Sequence, residues 1–190
     1  DSLIGGAGND ELVGGGGIGD QLFGEDGSDV LHGSDDGADI LQGGPGRDRL
    51  MGHGGNDTLR GGDDDDILLG GPGDDLLEGE AGSDTLTGEA DHDTLHGHSV
   101  TGTGDDNAVD FLYGDFATND NEAGSGRDRL FGGGGNDFHF GEAGDDFIDA
   151  GAGVNDTIDF GAGDGATPNA FVPPTPTPAP SVLAHVPHER

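Results

Sequence analysis

The sequence predicts an all-β repeat fold, and three observations carry that prediction. Residues recur with a period of nine, each period holds one large aliphatic residue between mostly polar neighbours, and glycine and aspartate occupy fixed places in the remainder. A single apolar position flanked by polar ones is the pattern of a short half-buried strand. Glycine and aspartate clusters between such strands are turns. Self-similarity at a fixed period marks a stacked architecture, in which no unit buries its apolar face alone.

In frame from Gly5 the units read GGAGNDELV, a ten-residue GGGGIGDQLF, GEDGSDVLH, a ten-residue GSDDGADILQ, GGPGRDRLM, GHGGNDTLR, GGDDDDILL, GGPGDDLLE, GEAGSDTLT and GEADHDTLH, ending at His96. The opening DSLI is the tail of an earlier unit, and after two interruptions the frame resumes as GSGRDRLF, GGGGNDFHF, GEAGDDFID and AGAGVNDTID. Glycines at the first, second and fourth positions suit positive φ and close backbone approach. The fifth position is often Asn, Asp or Ser (Asn9, Ser28, Asn56, Asp65, Asp74, Ser83, Asn136, Asp145), residue types favoured in turns. The eighth position supplies one inward aliphatic per unit: Leu12, Leu22, Leu31, Leu41, Leu50, Leu59, Leu68, Leu77, Leu86, Leu95, Leu112, Leu130, Ile148 and Ile158.

Composition narrows the function. Of 190 residues, 43 are Gly and 40 are Asp or Glu against 6 basic ones, a formal net charge of -34. Phosphate contacts need clustered Lys and Arg, so nucleic-acid binding is excluded, as is attraction to an anionic membrane. Apolar residues make up 29%, below the roughly 45–50% of ordinary globular domains. Without the repeat, such a chain would be assigned to intrinsic disorder. There is no Cys, so neither a disulfide framework nor a thiolate metal site can be proposed. The chain opens on Asp1 with no signal-peptide pattern, and is read as a fragment or processed product.

About fourteen tandem copies of G-G-x-G-x-D-x-U-x, with U a large aliphatic residue, closely resemble the repeats-in-toxin (RTX) family. The resemblance implies a parallel β-roll, a β-solenoid in which each GGxGxD stretch is a calcium-binding turn, each xUx a short strand, and two units complete one coil. It also implies type I export as an unfolded chain, with folding outside the cell.

The sixth-position series runs Asp1, Asp10, Asp20, Asp29, Asp39, Asp48, Asp57, Asp66, Asp75, Asp84 and Asp93, then Asp110, Asp128, Asp137, Asp146 and Asp156. All of these except Asp110 are the candidate metal ligands. In a two-unit coil, unit i stacks on unit i+2, so Asp10 faces Asp29 and Asp57 faces Asp75. Carboxylates with turn carbonyls are hard oxygen donors that suit Ca²⁺, which accepts six to eight of them; Mg²⁺ demands a stricter octahedron and keeps its waters. Such pairs would hold about twelve ions. One buried aliphatic per nine ordered residues does not offset the backbone entropy, and carboxylate repulsion adds to the shortfall. Folding is therefore expected to require calcium and, since the ligands must be deprotonated, to weaken as pH falls.

Some positions depart from the pattern. Asp64 and Asp91 stand at fourth positions, which brings the turn geometry there into question. Ile18 and Val154 are the extra residues of ten-residue units and are expected to bulge. His139 falls at an inward position between Phe138 and Phe140; either a neutral imidazole is buried there or the register slips, and the slip is the preferred expectation. Gly14, Gly16 and Gly19 form a GxGxxG without the strand and helix a dinucleotide site needs. His92, His96 and His98 cluster in sequence; outward-facing histidines on a roll explain them more simply than a transition-metal site.

These readings divide the chain into a near-continuous roll over 1–96, two surface loops around one repeat (110–114) within 97–125, further repeats over 126–165, and a Pro/Thr-rich linker or disordered tail over 166–190. The leading expectation is a non-catalytic, calcium-folded, monomeric module that is covalently part of a larger secreted bacterial protein, with calcium ions as its partners. The alternatives are a surface adhesin or matrix spacer stiffened by calcium, and the C-terminal part of an RTX enzyme or toxin whose catalytic domain lies elsewhere. No HExxH or GxSxG motif occurs.

Overall fold

The computed structural model describes residues 1–98, 108–115, 126–142, 144–151, 155–159 and 169–171. Among the described residues every regular element is a strand. In chain order these are β1 (Ser2–Ala7), β2 (Glu11–Val13), β3 (Gln21–Asp26), β4 (Val30–His32), β5 (Ile40–Pro45), β6 (Arg49–Met51), β7 (Thr58–Asp63), β8 (Ile67–Pro72) and β9 (Leu76–Ala81). They continue as β10 (Thr85–Ala90), β11 (Thr94–His96), β12 (Phe111–Asp115), β13 (Arg129–Phe131), β14 (Phe138–Phe140), β15 (Phe147–Asp149), β16 (Thr157–Asp159) and β17 (Asn169–Phe171).

The odd-numbered strands form one nine-stranded sheet and the even-numbered strands a second, eight-stranded one. Every pairing is parallel, between a strand and the one two places on. The chain thus crosses from sheet to sheet at each glycine-rich turn and closes one coil every two units, a parallel β-solenoid. Parallel strands cannot be joined by tight hairpins, and a coil that returns to its starting sheet is the short route between them.

Register follows from the eighth position. Leu22, Leu41, Leu59, Leu77, Leu95, Leu130 and Ile148 are aligned along one sheet. Leu12, Leu31, Leu50, Leu68, Leu86 and Leu112 are aligned along the other. Between the sheets these side chains form one core, with Leu12 slightly exposed and Leu3 and Ile158 packed partly buried against it. A one-residue slip would turn every leucine of a strand to solvent, so the inward ladder fixes the register.

Four results differ from expectation. His139 does not slip: it lies in register between Leu112 and Ile158 and is fully buried. Its neighbours explain why, because Phe138 stacks on Phe111 and Phe140 on Tyr113, each with centroids 4.8 Å apart. That distance is the inter-strand spacing, so stacked rings on both flanks hold the imidazole inward. Eight strands are also longer than the three-residue xUx, because their ladders run on into the first positions of the next turn, as where Gly44 aligns with Gly62 and Gly62 with Glu80. Asn169–Phe171, within the stretch read as linker, forms β17 and adds to β15; an edge strand offers unpaired backbone groups that a following segment can satisfy. Asp64 and Asp91 keep the turn by adopting positive φ, 76° and 80°.

Ile18 projects as expected, 90% exposed. The single repeat at 110–114 supplies β12, between β10 and β14. Val154 and most of the two loops and of the tail lie outside the described residues.

Candidate metal sites along the turns

Each turn ends in its sixth-position aspartate, and the coil brings these residues into two rows. In one, the nitrogen of Asp1 donates to Oδ1 of Asp20, that of Asp20 to Asp39 (2.6 Å), Asp39 to Asp57 (2.8 Å), Asp57 to Asp75 (2.7 Å), Asp75 to Asp93, Asp93 to Asp128 and Asp128 to Asp146. In the other, the amide of Asp10 donates to Oδ1 of Asp29 (2.7 Å), Asp29 to Asp48 (2.7 Å), Asp48 to Asp66, Asp66 to Asp84, Asp84 to Asp110, Asp110 to Asp137 and Asp137 to Asp156. All the sequence-predicted aspartates lie in these rows, though Asp1 enters through its nitrogen with its side chain 75% exposed. Asp110, left out of the candidate set, belongs in it by position: the coil closes over the first interruption and stacks it on Asp84.

The second carboxylate oxygen distinguishes these residues. Oδ2 of Asp10, Asp20, Asp29, Asp48, Asp57, Asp66, Asp75 and Asp146 is buried with no hydrogen-bond partner. Each points back over the first glycine of its own turn. A Cβ on Gly24 would press on Asp29 Oδ2 and lie 2.7 Å from the Gly43 carbonyl oxygen of the next coil; Gly61 stands in the same relation to Asp66 and Gly79. Carboxylate and carbonyl oxygens thus converge where a side chain has no room, a set of hard donors with no proton to share. Buried charged oxygens without partners cost several kcal/mol unless something neutralises them, and oxygen sets of this kind fit Ca²⁺. Among the described residues, no three His, Asp or Glu side chains converge on one point, so any ion held here takes backbone carbonyls as well as paired carboxylates.

The electrostatics agree. Burial pushes Asp48, Asp57 and Asp146 up to about 6 and Asp66 and Asp75 up to about 8, despite the amide each accepts. Carboxylates of adjoining coils raise them further: Asp29 acts on Asp48, Asp39 on Asp57, Asp84 and Asp48 on Asp66, and Asp57 on Asp75.

Two features of the turns had no clear sequence signal. Fifth-position side chains form a second ladder in the opposite sense, with Asn9 Oδ1 accepting from the Ser28 amide, Asn56 from Asp74 and Asn136 from Asn155. Asp39 also differs from its row: its Oδ2 accepts from the Ser34 amide (2.6 Å) and hydroxyl (3.1 Å). His92, His96 and His98 do not converge on one point. His92 lies 3.7 Å from Asp74, His96 stacks on Phe131 at 4.5 Å, and His98 meets the edge of His96.

A family model described as the RTX calcium-binding nonapeptide repeat (4 copies) matches residues 1–19, 16–36, 34–68, 69–106, 122–155 and 140–165. No curated protein sequence matches the chain.

Proposed function

The chain belongs to the RTX calcium-binding nonapeptide repeat family and is a calcium-binding repeat module, and from that premise we propose that calcium is what folds it. The sixth-position aspartates, Asp110 included, are the side-chain ligands, and the turn carbonyls complete the coordination. Bound there, calcium supplies the positive charge that the aspartate rows lack. The two rows stack fourteen pairs of aspartates, the first of them through the Asp1 nitrogen, and the number of ions they hold is about twelve. Buried Oδ2 atoms repeated coil after coil carry this reading, because a chain of net charge -34 has no other source of so many counter-charges inside its turns.

The module is non-catalytic. Its buried carboxylates are all shifted upward by the same cause, burial in equivalent turns, whereas acid–base chemistry needs one group kept protonated beside another kept ionised. It serves as the folding and stabilising part of a larger secreted protein, exported unfolded where calcium is scarce and folded where calcium is millimolar. A calcium titration followed by far-UV circular dichroism tests the proposal. The expected result is disorder at sub-micromolar calcium and a cooperative rise in β-structure toward millimolar; β-structure that persists in excess chelator at neutral pH refutes it.

A further inference from the structure

The turn Gly33–Asp39 satisfies its aspartate without any ion. From Gly6 to Glu89, the residue at the second position of every repeat has positive φ, including Glu25, His53 and Glu80, with the single exception of Ser34. Because Ser34 lies outside that region, its amide and hydroxyl turn inward. The amide donates to Asp39 Oδ2 at 2.6 Å, and the hydroxyl proton is shared between Asp39 Oδ2 at 3.1 Å and the Asp36 carbonyl at 3.0 Å. Ser34 is 3% exposed and Asp39 1%. Asp39 Oδ1 already accepts the Asp20 amide, so both oxygens of this carboxylate have donors, whereas Asp20 and Asp57, its neighbours in the row, keep a buried Oδ2 without one.

The extra residue of this unit is not the cause. The turn Gly14–Asp20 is also one residue longer, yet Gly15 keeps φ at 88° and Asp20 Oδ2 remains unpartnered. What differs is the serine.

We propose that Ser34 takes the place of a calcium ion in the turn Gly33–Asp39, so that the row running from Asp20 to Asp57 is interrupted at Asp39. This rests on the calcium reading above and refines it: a donor pair from within the turn does locally what the ion does elsewhere, and this coil closes without metal. Charge-assisted bonds to a buried carboxylate are the stronger kind of hydrogen bond, and an oxygen that accepts two donors is a poor ligand until those donors leave.

Equilibrium dialysis of the full chain against calcium alone, with folding checked by circular dichroism, tests the inference in Ser34→Gly, Asp39→Asn and Asp57→Asn. The expected result is a higher stoichiometry than wild type in Ser34→Gly, an unchanged one in Asp39→Asn and a lower one in Asp57→Asn. A loss in Asp39→Asn equal to that in Asp57→Asn, or no gain in Ser34→Gly, overturns it while leaving the calcium reading intact. If Asp39→Asn does not fold at saturating calcium, Ser34→Gly decides alone. Wild type that binds no calcium sinks the calcium reading, and this inference with it.

Discussion

The amide of Asp57 donates to Oδ1 of Asp75, 18 residues on, at 2.7 Å, and the Oδ2 atoms of both residues are buried with no donor. One bond therefore sets the stacking of two coils and leaves behind two buried oxygens that a metal ion or a proton satisfies. The same carboxylate acts as a structural acceptor and as a ligand.

Asp75→Asn keeps an acceptor for the Asp57 amide but removes the charge. In calcium, it is expected to raise the concentration needed for half-folding, because losing one site forfeits about 2.7 kcal/mol when free calcium is a hundredfold above its Kd. In metal-free buffer the sign reverses, since the variant has one buried charge fewer to desolvate. Circular dichroism titrations of variant and wild type check both arms; a variant less ordered than wild type without metal contradicts the account.

Burial pushes Asp66 and Asp75 up to about 8, and Asp48, Asp57 and Asp146 to about 6, from the ordinary aspartate value of 3.8. A folded-state pKa above the unfolded one means that the folded chain binds more protons, so the metal-free roll gains stability below the folded pKa and loses it as pH rises through that value. His96 and His139 are shifted down by burial and act oppositely below the ordinary imidazole range, so the clean window runs from about pH 6.5 to about 9. Residual metal-free β-structure is expected to fall across that window. The calcium midpoint is expected to fall too, because protons and calcium compete for the same oxygens. A midpoint independent of pH would remove the carboxylates from the binding step.

Gly46 has φ of 126°, and a Cβ there would overlap the Gly27 carbonyl of the preceding coil, whereas Gly16 has open space around it. Gly46→Ala is expected to cost ~1–3 kcal/mol from backbone strain alone, with the steric overlap added. Gly16→Ala should stay within about 0.5 kcal/mol of wild type, as an ordinary surface change does. Thermal denaturation at fixed calcium measures both, and equal effects would mean that the turns do not stack as closely as described.

His139 is fully buried in the leucine ladder, and neither ring nitrogen makes a hydrogen bond of good geometry, the Thr157 backbone being its nearby polar support. Burial lowers its pKa, opposed in part by the Thr157 backbone and by Asp156 and Asp149. His139→Leu extends the ladder and removes the unsatisfied ring, so a gain of about 1–3 kcal/mol is expected. A fall in melting temperature would show that the imidazole has a use the ladder does not reveal.

The sequence by itself determined the period, the inward leucines and the aspartate series, while the pairing of unit i with unit i+2 was implied by the resemblance to the RTX family. Each of these repeats along the chain, and a repeated pattern reports on a local environment that every unit shares. Tertiary structure alone decided the exceptions. That His139 stays inward depends on rings stacked across β12 and β14, and that Asn169–Phe171 pairs with β15 depends on a free sheet edge. That Asp110 joins its row depends on the coil closing over an interruption, and that Asp39 finds its donors in Ser34 depends on a single φ. These are contacts between residues far apart in the chain, or one-off backbone choices, and a nine-residue average carries no trace of them.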